Sequence, residues 1–319
     1  MSRSAILFMS ENCLPKDFQL RIKEILPQGP VCLFGPRPYQ AFRINTLKIS
    51  VEEALKQLSV SQVDFQKVSW CPYAIVVPKT VAGELLKSDL VKDGILYAQG
   101  LESMLAVMAL DPLPNQRVLD LCAAPGSKTT QIAMHMHNTG VLVANEPVRD
   151  RFFRLKSVVE LMGAQAKLTS IDGRRLQARE ELFDRILVDA PCSCEGRFLM
   201  HEPKSFRFWS PRKIKEMSHK QKGLLLNAGR LLGPGGILVY ATCTFAPEEN
   251  EEVVDFVLRK TEGRMQLVPI DLPGVNTYPC LTQWQGRTYT SPLKLSARIY
   301  PDERMEGFFI AKFTNSHYK

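Results

Sequence analysis

No run of apolar residues in this chain approaches the roughly 20 that a helix needs to cross a bilayer. The longest, such as Ile186 to Val188 and Gly236 to Ala241, are strand-sized. The opening segment MSRSAILFMSENCLPKD carries one Arg, a short apolar stretch and an early acid, a poor match to a secretory signal. The cytoplasm is therefore the expected compartment and no membrane partner is expected. Missing too is the GxGxxG fingerprint, which counts against a nucleotide-dependent oxidoreductase. A P-loop is excluded because Ser127 precedes Lys128 and the upstream glycine is absent. No internal repeat or low-complexity tract is visible. The eight cysteines are irregularly spaced, which argues against a disulfide framework and leaves thiols for chemistry or packing.

What is present is a chain of 319 residues, 45% hydrophobic, enough for one large core and a smaller accessory unit. The net charge of +8 favours a polyanionic partner. Residues 1–95 read as a small α+β domain. They hold a helix over 17–26, an extended segment over 41–49, a helix opened by the capping-box pair Ser50 and Glu53, and strands near 73–77 and 94–98. Residues 96–319 begin with a helix over 101–110 and then alternate apolar strand, small-residue turn and amphipathic helix. That pattern predicts a parallel sheet in a doubly wound, Rossmann-like α/β domain, with strands at 117–121, 141–145, 167–171, 185–189 and 237–241. Ligands of such sheets bind beyond the carboxyl ends of the strands, near the switch in strand order.

The chemistry-bearing residues fall at those ends. VLDLCAAPGSKTTQIA turns at Gly126 into a helix, letting backbone approach a ligand. Glu146 ends the second strand, where an acid commonly holds ribose hydroxyls, and Asp172 ends the third, suited to an adenine amino group. ILVDAPCSCEG supplies Asp189 and Cys192, while GILVYATC delivers Cys243. In the usual strand order those last two strands are neighbours about 4.8 Å apart, so both thiols would face one cleft. Packing cysteines or a metal site from Cys122, Cys192, Cys194 and Cys243 are the alternatives. Zinc is disfavoured because Cys-x-Cys is an unusual ligand spacing and no His lies nearby, so no metal is expected.

Two thiols beside a carboxylate suit one reaction well. Carbon 5 of cytosine becomes nucleophilic once a thiolate adds at carbon 6, and can then attack an electrophilic methyl sulfonium. A second thiol assists release of the adduct, and Asp189 or Lys128 holds the polar edge of an unstacked base.

Together, LDLCAAPGSKTTQIA, LVDAPCSCEG and YATCTFAPEENEEVVDFVL resemble the motifs of the Sun-type (Nol/Nop/Sun, Fmu-like) RNA cytosine-5 methyltransferases. Weaker similarity runs through FRINTLKIS, GILYAQGLESML and ARIYPDERMEGFFIAKF. The resemblance implies a class I methyltransferase domain using S-adenosyl-L-methionine, with Cys243 as nucleophile and Cys192 assisting product release. Asp189 and Lys128 complete the catalytic set. By the same resemblance the cofactor contacts are Cys122, Ala123, Ala124, Pro125, Gly126, Ser127, Lys128, Glu146, Asp172 and Asp189, with Arg151 at a matching basic position. Glu146 stands where Asp is commoner and Ser127 where Gly is frequent. Cys194, where glycine is often found, receives no role.

The implied partner is RNA, ribosomal or transfer, with a lean toward ribosomal RNA, and a monomer is expected. The basic, aromatic stretch 197–222 is expected to contact phosphates and stack on bases. Arg43 and Lys48 are expected to help the front domain grip RNA. A DNA cytosine-5 methyltransferase, with Cys192 attacking, is disfavoured because no segment remains for a DNA-recognition module. Retention of both cysteines, Asp189 and Lys128 argues against a noncatalytic RNA-binding factor.

Overall fold

The computed structural model describes residues 14–26, 34–178 and 181–316. The segment read for a signal peptide lies mainly outside them. Helix α1 (Lys16–Ile25) is followed by an antiparallel sheet in the order β2-β3-β1-β4. Its strands are β1 (Tyr39–Ile44), β2 (Gln66–Val68), β3 (Cys71–Pro78) and β4 (Leu96–Ala98). Helices α2 (Val51–Val60), α3 (Lys79–Leu85) and α4 (Asp89–Lys92) lie between them in sequence. The predicted cap is present: Ser50 Oγ accepts from Glu53 N at 3.1 Å, satisfying one orphan donor of α2.

The large unit opens with α5 (Leu101–Leu110), then β5 (Arg117–Asp120), α6 (Ser127–His135), β6 (Val141–Asn145), α7 (Arg149–Leu161) and β7 (Lys167–Thr169). It continues with β8 (Phe183–Asp189), α8 (Pro211–Leu231), β9 (Leu232–Thr242), α9 (Glu251–Lys260), β10 (Met265–Leu267) and β11 (Thr277–Tyr278). A small ribbon, β12 (Gln283–Trp284) with β13 (Arg287–Thr288), precedes β14 (Ala297–Ile299) and β15 (Phe308–Asn315). The main sheet runs β11-β14-β15-β9-β8-β5-β6-β7, with β10 on the outer side of β15. Strands β9 through β7 in that order are parallel, whereas β15 joins β9 antiparallel. The chain steps outward from β5 to β7 and returns on the other side of β5 at β8. The switch point therefore lies between β5 and β8, as the doubly wound reading requires.

Period-two alternation divides the core into two layers. Ile186 and Val188 of β8, Leu238 and Tyr240 of β9, and Phe309, Ala311 and Phe313 of β15 pack with α8 and α9. Leu187, Val239, Ala241 and Ile310 face α5 and α6 on the other side.

Two features shift the expected division at residue 95. Strand β4 pairs with β1 through residues 96–98, so the small sheet continues past that point. The apolar face of α1, Phe18, Ile22 and Ile25, is buried in the α8/α9 layer of the large unit. Arg43 differs from expectation, and Lys48 is exposed but hydrogen-bonded within the protein. Arg43 is fully buried: it donates to Gln99 Oε1 at 2.8 Å and to Thr130 Oγ1 at 2.6 Å, tying β1 to α6. Lys48 Nζ donates to the carbonyls of Asp93 and Leu161 at 2.6 and 2.7 Å, joining the small unit to the end of α7. Both cations answer backbone and polar groups left open where the units meet.

Candidate active site

The carboxyl ends of β5, β6, β8 and β9 carry the site. After β5 the chain passes a cis Ala124–Pro125 bond and reaches Gly126 at φ +116, a conformation that L side chains rarely adopt. A Cβ there would also lie 3.0 Å from Val158 Cγ1 of α7. The loop is braced by Arg151, which donates from Nη2 to Ala124 O at 2.8 Å. Its Nη1 lies 3.3 Å from Glu146 Oε2, and Glu146 Oε1 accepts from Val148 N at 2.9 Å. Arg151 thus links the β5 loop to the acid ending β6. Asp172 is held by Arg174, whose Nη2 lies 2.6 Å from Oδ2; this bond holds the Asp172 carboxyl down at about 2.

Lys128, on the first turn of α6, is nearly buried and donates from Nζ to Asp189 Oδ2 at 2.7 Å. The same Nζ sits 5.8 Å from the centre of the Phe308 ring on β15. Asp120 at the end of β5 escaped the sequence reading. Its Oδ2 accepts from Thr129 Oγ1 at 2.7 Å, while Oδ1 is buried without a partner. Burial pushes this carboxyl up to about 7. An unpartnered buried acceptor costs stability unless something fills its demand, and it lies at the base of the turn expected to hold a cofactor. Acids on successive strand ends, a glycine turn and this open acceptor fit a nucleoside cofactor carrying a cationic centre.

Strands β8 and β9 are hydrogen-bonded neighbours, and the loops beyond them bring Cys192 Sγ within 3.2 Å of Cys243 Sγ. Cys194 Sγ is 3.9 Å from Cys192 Sγ. Sulfur-to-sulfur hydrogen bonds let one thiolate form in the group while opposing further ionisation. Cys243 is held up at about 11, whereas Cys194 is pushed down to about 4 by bonds from the other two thiols. Cys122, although at the first strand end, is not part of the group of thiols within 4.8 Å of one another.

The segment Glu249-Asn250-Glu251, quoted in the resemblance without roles, explains how the loops are held. Glu249 Oε2 accepts from Ser193 N at 3.0 Å and from Gln221 Nε2 at 2.8 Å, anchoring the Cys192 loop to α8. Asn250 brackets Cys243: its Oδ1 accepts from Thr242 Oγ1 at 2.6 Å and its Nδ2 donates to Thr244 O at 2.8 Å. Glu251 forms a fully buried pair with Arg298, Nη2 to Oε2 2.6 Å, and Arg298 Nη1 donates to Phe245 O at 3.0 Å. Glu195, also fully buried, accepts from Trp209 Nε1 at 2.8 Å and Phe245 N at 3.1 Å. Gly196 N donates to Cys243 O at 2.9 Å, stitching the two cysteine loops directly. Gly196 packs so closely on Gly307 that a Cβ would lie 2.1 Å from Gly307 O.

The aromatic content of 197–222 departs from expectation. Phe198 and Phe206 are buried, and Phe198 and Trp209 surround Phe18 with ring centroids 4.9 and 5.5 Å away. They serve the core because α1 supplies an apolar partner for them. Phe208 alone among the four aromatics of this stretch is largely exposed, at 76%, with the Arg207 guanidinium 4.3 Å from its ring centre.

A family model described as 16S rRNA methyltransferase RsmB/F matches residues 107–314. The chain is 39% identical over 280 residues to a tRNA (cytosine(49)-C(5))-methyltransferase of Pyrococcus abyssi, covering 85% of this chain and 86% of that protein. It is 36% identical over 313 residues to the ribosomal RNA small subunit methyltransferase F of Cronobacter sakazakii, covering 94% of this chain but only 63% of that relative. A methyltransferase homologue from Pyrococcus horikoshii superposes with a TM-score of 0.82 at 30% identity, over 99% of this chain and 100% of that one. NSun6 from the same organism, solved with SFG, gives 0.81 over 96% of this chain and 99% of that one; at 22% identity it speaks to the fold. No helix among the described residues is long and apolar enough to cross a membrane.

Proposed function

Because the chain belongs to the RsmB/F family of 16S rRNA methyltransferases, we propose that it methylates carbon 5 of cytosine in RNA, using S-adenosylmethionine. The observation that carries the reading is the 3.2 Å approach of the Cys192 and Cys243 thiols beside the Lys128–Asp189 pair. When bound, the cofactor supplies an electrophilic methyl group. The proposed binding residues are Cys122 to Lys128, Glu146, Arg151, Asp172 and Asp189, supported by their gathering at the strand ends.

Cys243 attacks. Its thiol gives its proton, by way of Cys192, to the readily ionised Cys194 sulfur; the Cys243 sulfur then bonds to carbon 6 of an unstacked cytosine and the displaced electron pair makes carbon 5 nucleophilic. Lys128 and Asp189 hold the polar edge of the ring, so that charge developing on the base meets fixed partners. After methyl transfer the carbon 5 proton passes to the Cys192 sulfur, the ring double bond re-forms, and the Cys243 sulfur departs with its bonding pair. Cys192 assists this release by exchanging a proton with the leaving sulfur. Asn250 holds Cys243 from both sides and Glu249 holds the Cys192 loop, so the two sulfurs keep their spacing through the cycle.

The small α+β unit is proposed to contact the RNA alongside the catalytic unit. Its support is a separate core around Phe42, Ile44 and Leu58; the contact must use groups other than the fully buried Arg43, whereas Lys48 stays exposed and open to it. Ribosomal RNA is favoured by the description of the family model. Transfer RNA is the second reading, favoured by the Pyrococcus abyssi relative, whose length this chain covers more fully.

The test incubates wild type, Cys192→Ala and Cys243→Ala with unmodified total RNA and radiolabelled S-adenosylmethionine. Wild type should label 5-methylcytosine. Cys243→Ala should give neither label nor adduct, and Cys192→Ala should accumulate a covalent protein–RNA complex. The reverse pattern would reassign the nucleophile, and no label on any RNA would sink the proposal. Bisulfite sequencing of cellular RNA with and without the gene separates ribosomal from transfer RNA.

A further inference from the structure

We propose that Cys192, Cys194 and Cys243 together form a binding site for a soft divalent cation such as Zn2+, and that its occupancy reversibly blocks methyl transfer by sequestering the attacking sulfur. This goes beyond the proposed reaction, which uses Cys194 only to take up a proton. Their sulfurs all lie within 4.8 Å of one another, with two separations of 3.2 and 3.9 Å. A tetrahedral Zn2+ with Zn–S bonds near 2.3 Å sets its sulfurs about 3.8 Å apart. The thiols therefore need only small side-chain movements to close on an ion.

Cys194 makes the site. It stands at φ +60, in the left-handed region, and its Sγ lies 3.4 Å from Cys192 O. The turn folds the third thiol back over the first instead of leaving it in the adjacent loop. Cys-x-Cys spacing and a lack of neighbouring histidine argue against zinc only when all ligands come from one segment. Here the third sulfur arrives from β9, and Gly196 N bonded to Cys243 O fixes the two segments together. Such prior fixing of the ligands lowers the ordering cost of binding. All three cysteines are only half-buried, which leaves an ion a path and a fourth position for water. Arg197, held by Glu306 at 2.8 Å on the turn just after Cys194, brings a cation to the neighbourhood of the three sulfurs.

The step balances without an oxidant. Cys192 and Cys243 give their protons to solvent as their sulfurs bond the metal while Cys194 binds as a thiolate already formed; no electrons change hands, and a chelator reverses the reaction by restoring the two protons.

The experiment uses the full chain without RNA or cofactor, kept reduced with a phosphine. Co2+ is titrated first and then displaced by Zn2+, with sulfur-to-cobalt charge-transfer absorption and proton release as readouts. Cys194→Gly suits the left-handed backbone, and Cys194→Ser keeps the side-chain size. Wild type should bind one ion with a thiolate band. Both variants should bind about tenfold more weakly or worse, since even defects outside the ligand shell cost that much. In the methyl-transfer assay, Zn2+ should inhibit wild type, a chelator should restore it, and the variants should need about tenfold more metal for the same inhibition. Absence of a thiolate–cobalt band in wild type, or equal binding and inhibition in all three proteins, overturns the proposal. The cobalt readout needs no RNA, so failure to find a methylated substrate would count against the proposed reaction alone.

Discussion

Gly126→Ala tests the local reasoning most sharply, because two independent costs meet at one atom. The backbone at φ +116 lies outside the left-handed well that non-glycine residues tolerate, a penalty of about 1–3 kcal/mol. The new Cβ would stand 3.0 Å from Val158 Cγ1 and 3.3 Å from Leu155 Cδ1. Val158 is β-branched on a helix and has little rotamer freedom to withdraw, so the crowding adds about 1 kcal/mol. The total is about 2–4 kcal/mol, or a fall in Tm of about 4–8 °C for a chain of this size. Urea unfolding followed by circular dichroism measures the stability, and calorimetric titration with S-adenosylmethionine should show weaker binding as the turn shifts. In a Val158→Ala background the crowding is relieved, and the cost of Gly126→Ala should shrink by about 1 kcal/mol. Equal stability with and without the Gly126→Ala change in both backgrounds would refute the argument, as would an undiminished penalty after Val158 is truncated.

Arg151→Ala removes the donor to Ala124 O and the partner of Glu146; because Arg151 is 45% exposed, the loss should be modest, about 1 kcal/mol or a fivefold rise in the Kd for S-adenosylmethionine by calorimetry. Arg298→Met leaves Glu251 charged and fully buried and should cost about 3–5 kcal/mol in urea unfolding, with methyl transfer impaired as Phe245 loses its anchor. Burial raises Glu249 to about 8, so the folded state binds its proton more tightly than the unfolded chain does. Its stabilising contribution is full below the ordinary carboxylate range and is lost as pH rises toward about 8. Glu249→Gln should flatten that decline in urea midpoints taken across the window, and an unchanged slope would show that Glu249 does not titrate there.

The strand ends and the meeting of Cys192 with Cys243 were legible because small-residue turns and acids follow apolar strands at a regular interval. The neighbouring placement of β8 and β9 followed from topology alone, without side-chain detail. The position of Arg43 was not legible: a basic residue on an extended segment reads as solvent-facing until the surface that covers it is known. The same holds for Phe198, Phe206 and Trp209: Phe198 and Trp209 find their apolar partner in Phe18, almost 200 residues away in the chain. Asp120 carried a signal that was available, an acid inside an otherwise apolar strand end, where an ionised group needs a reason to be buried. Glu249, Asn250 and Glu251 stood in a quoted motif, yet polar residues opening a helix usually serve as caps, and only coordinates reveal that they reach across to two loops.

Strand β15 occupies an interior lane of the sheet, between β9 and β14. Phe308 from its first position lies beneath Lys128, and Gly307 just before it receives Gly196. During synthesis, then, Cys192 and Cys243 emerge well before the segment that seats their loops. A nascent chain stopping short of residue 308 would carry both sulfurs without the ring beside Lys128 or the strand that pairs antiparallel with β9. The two cysteine loops are therefore seated only once β15 is in place beside β9.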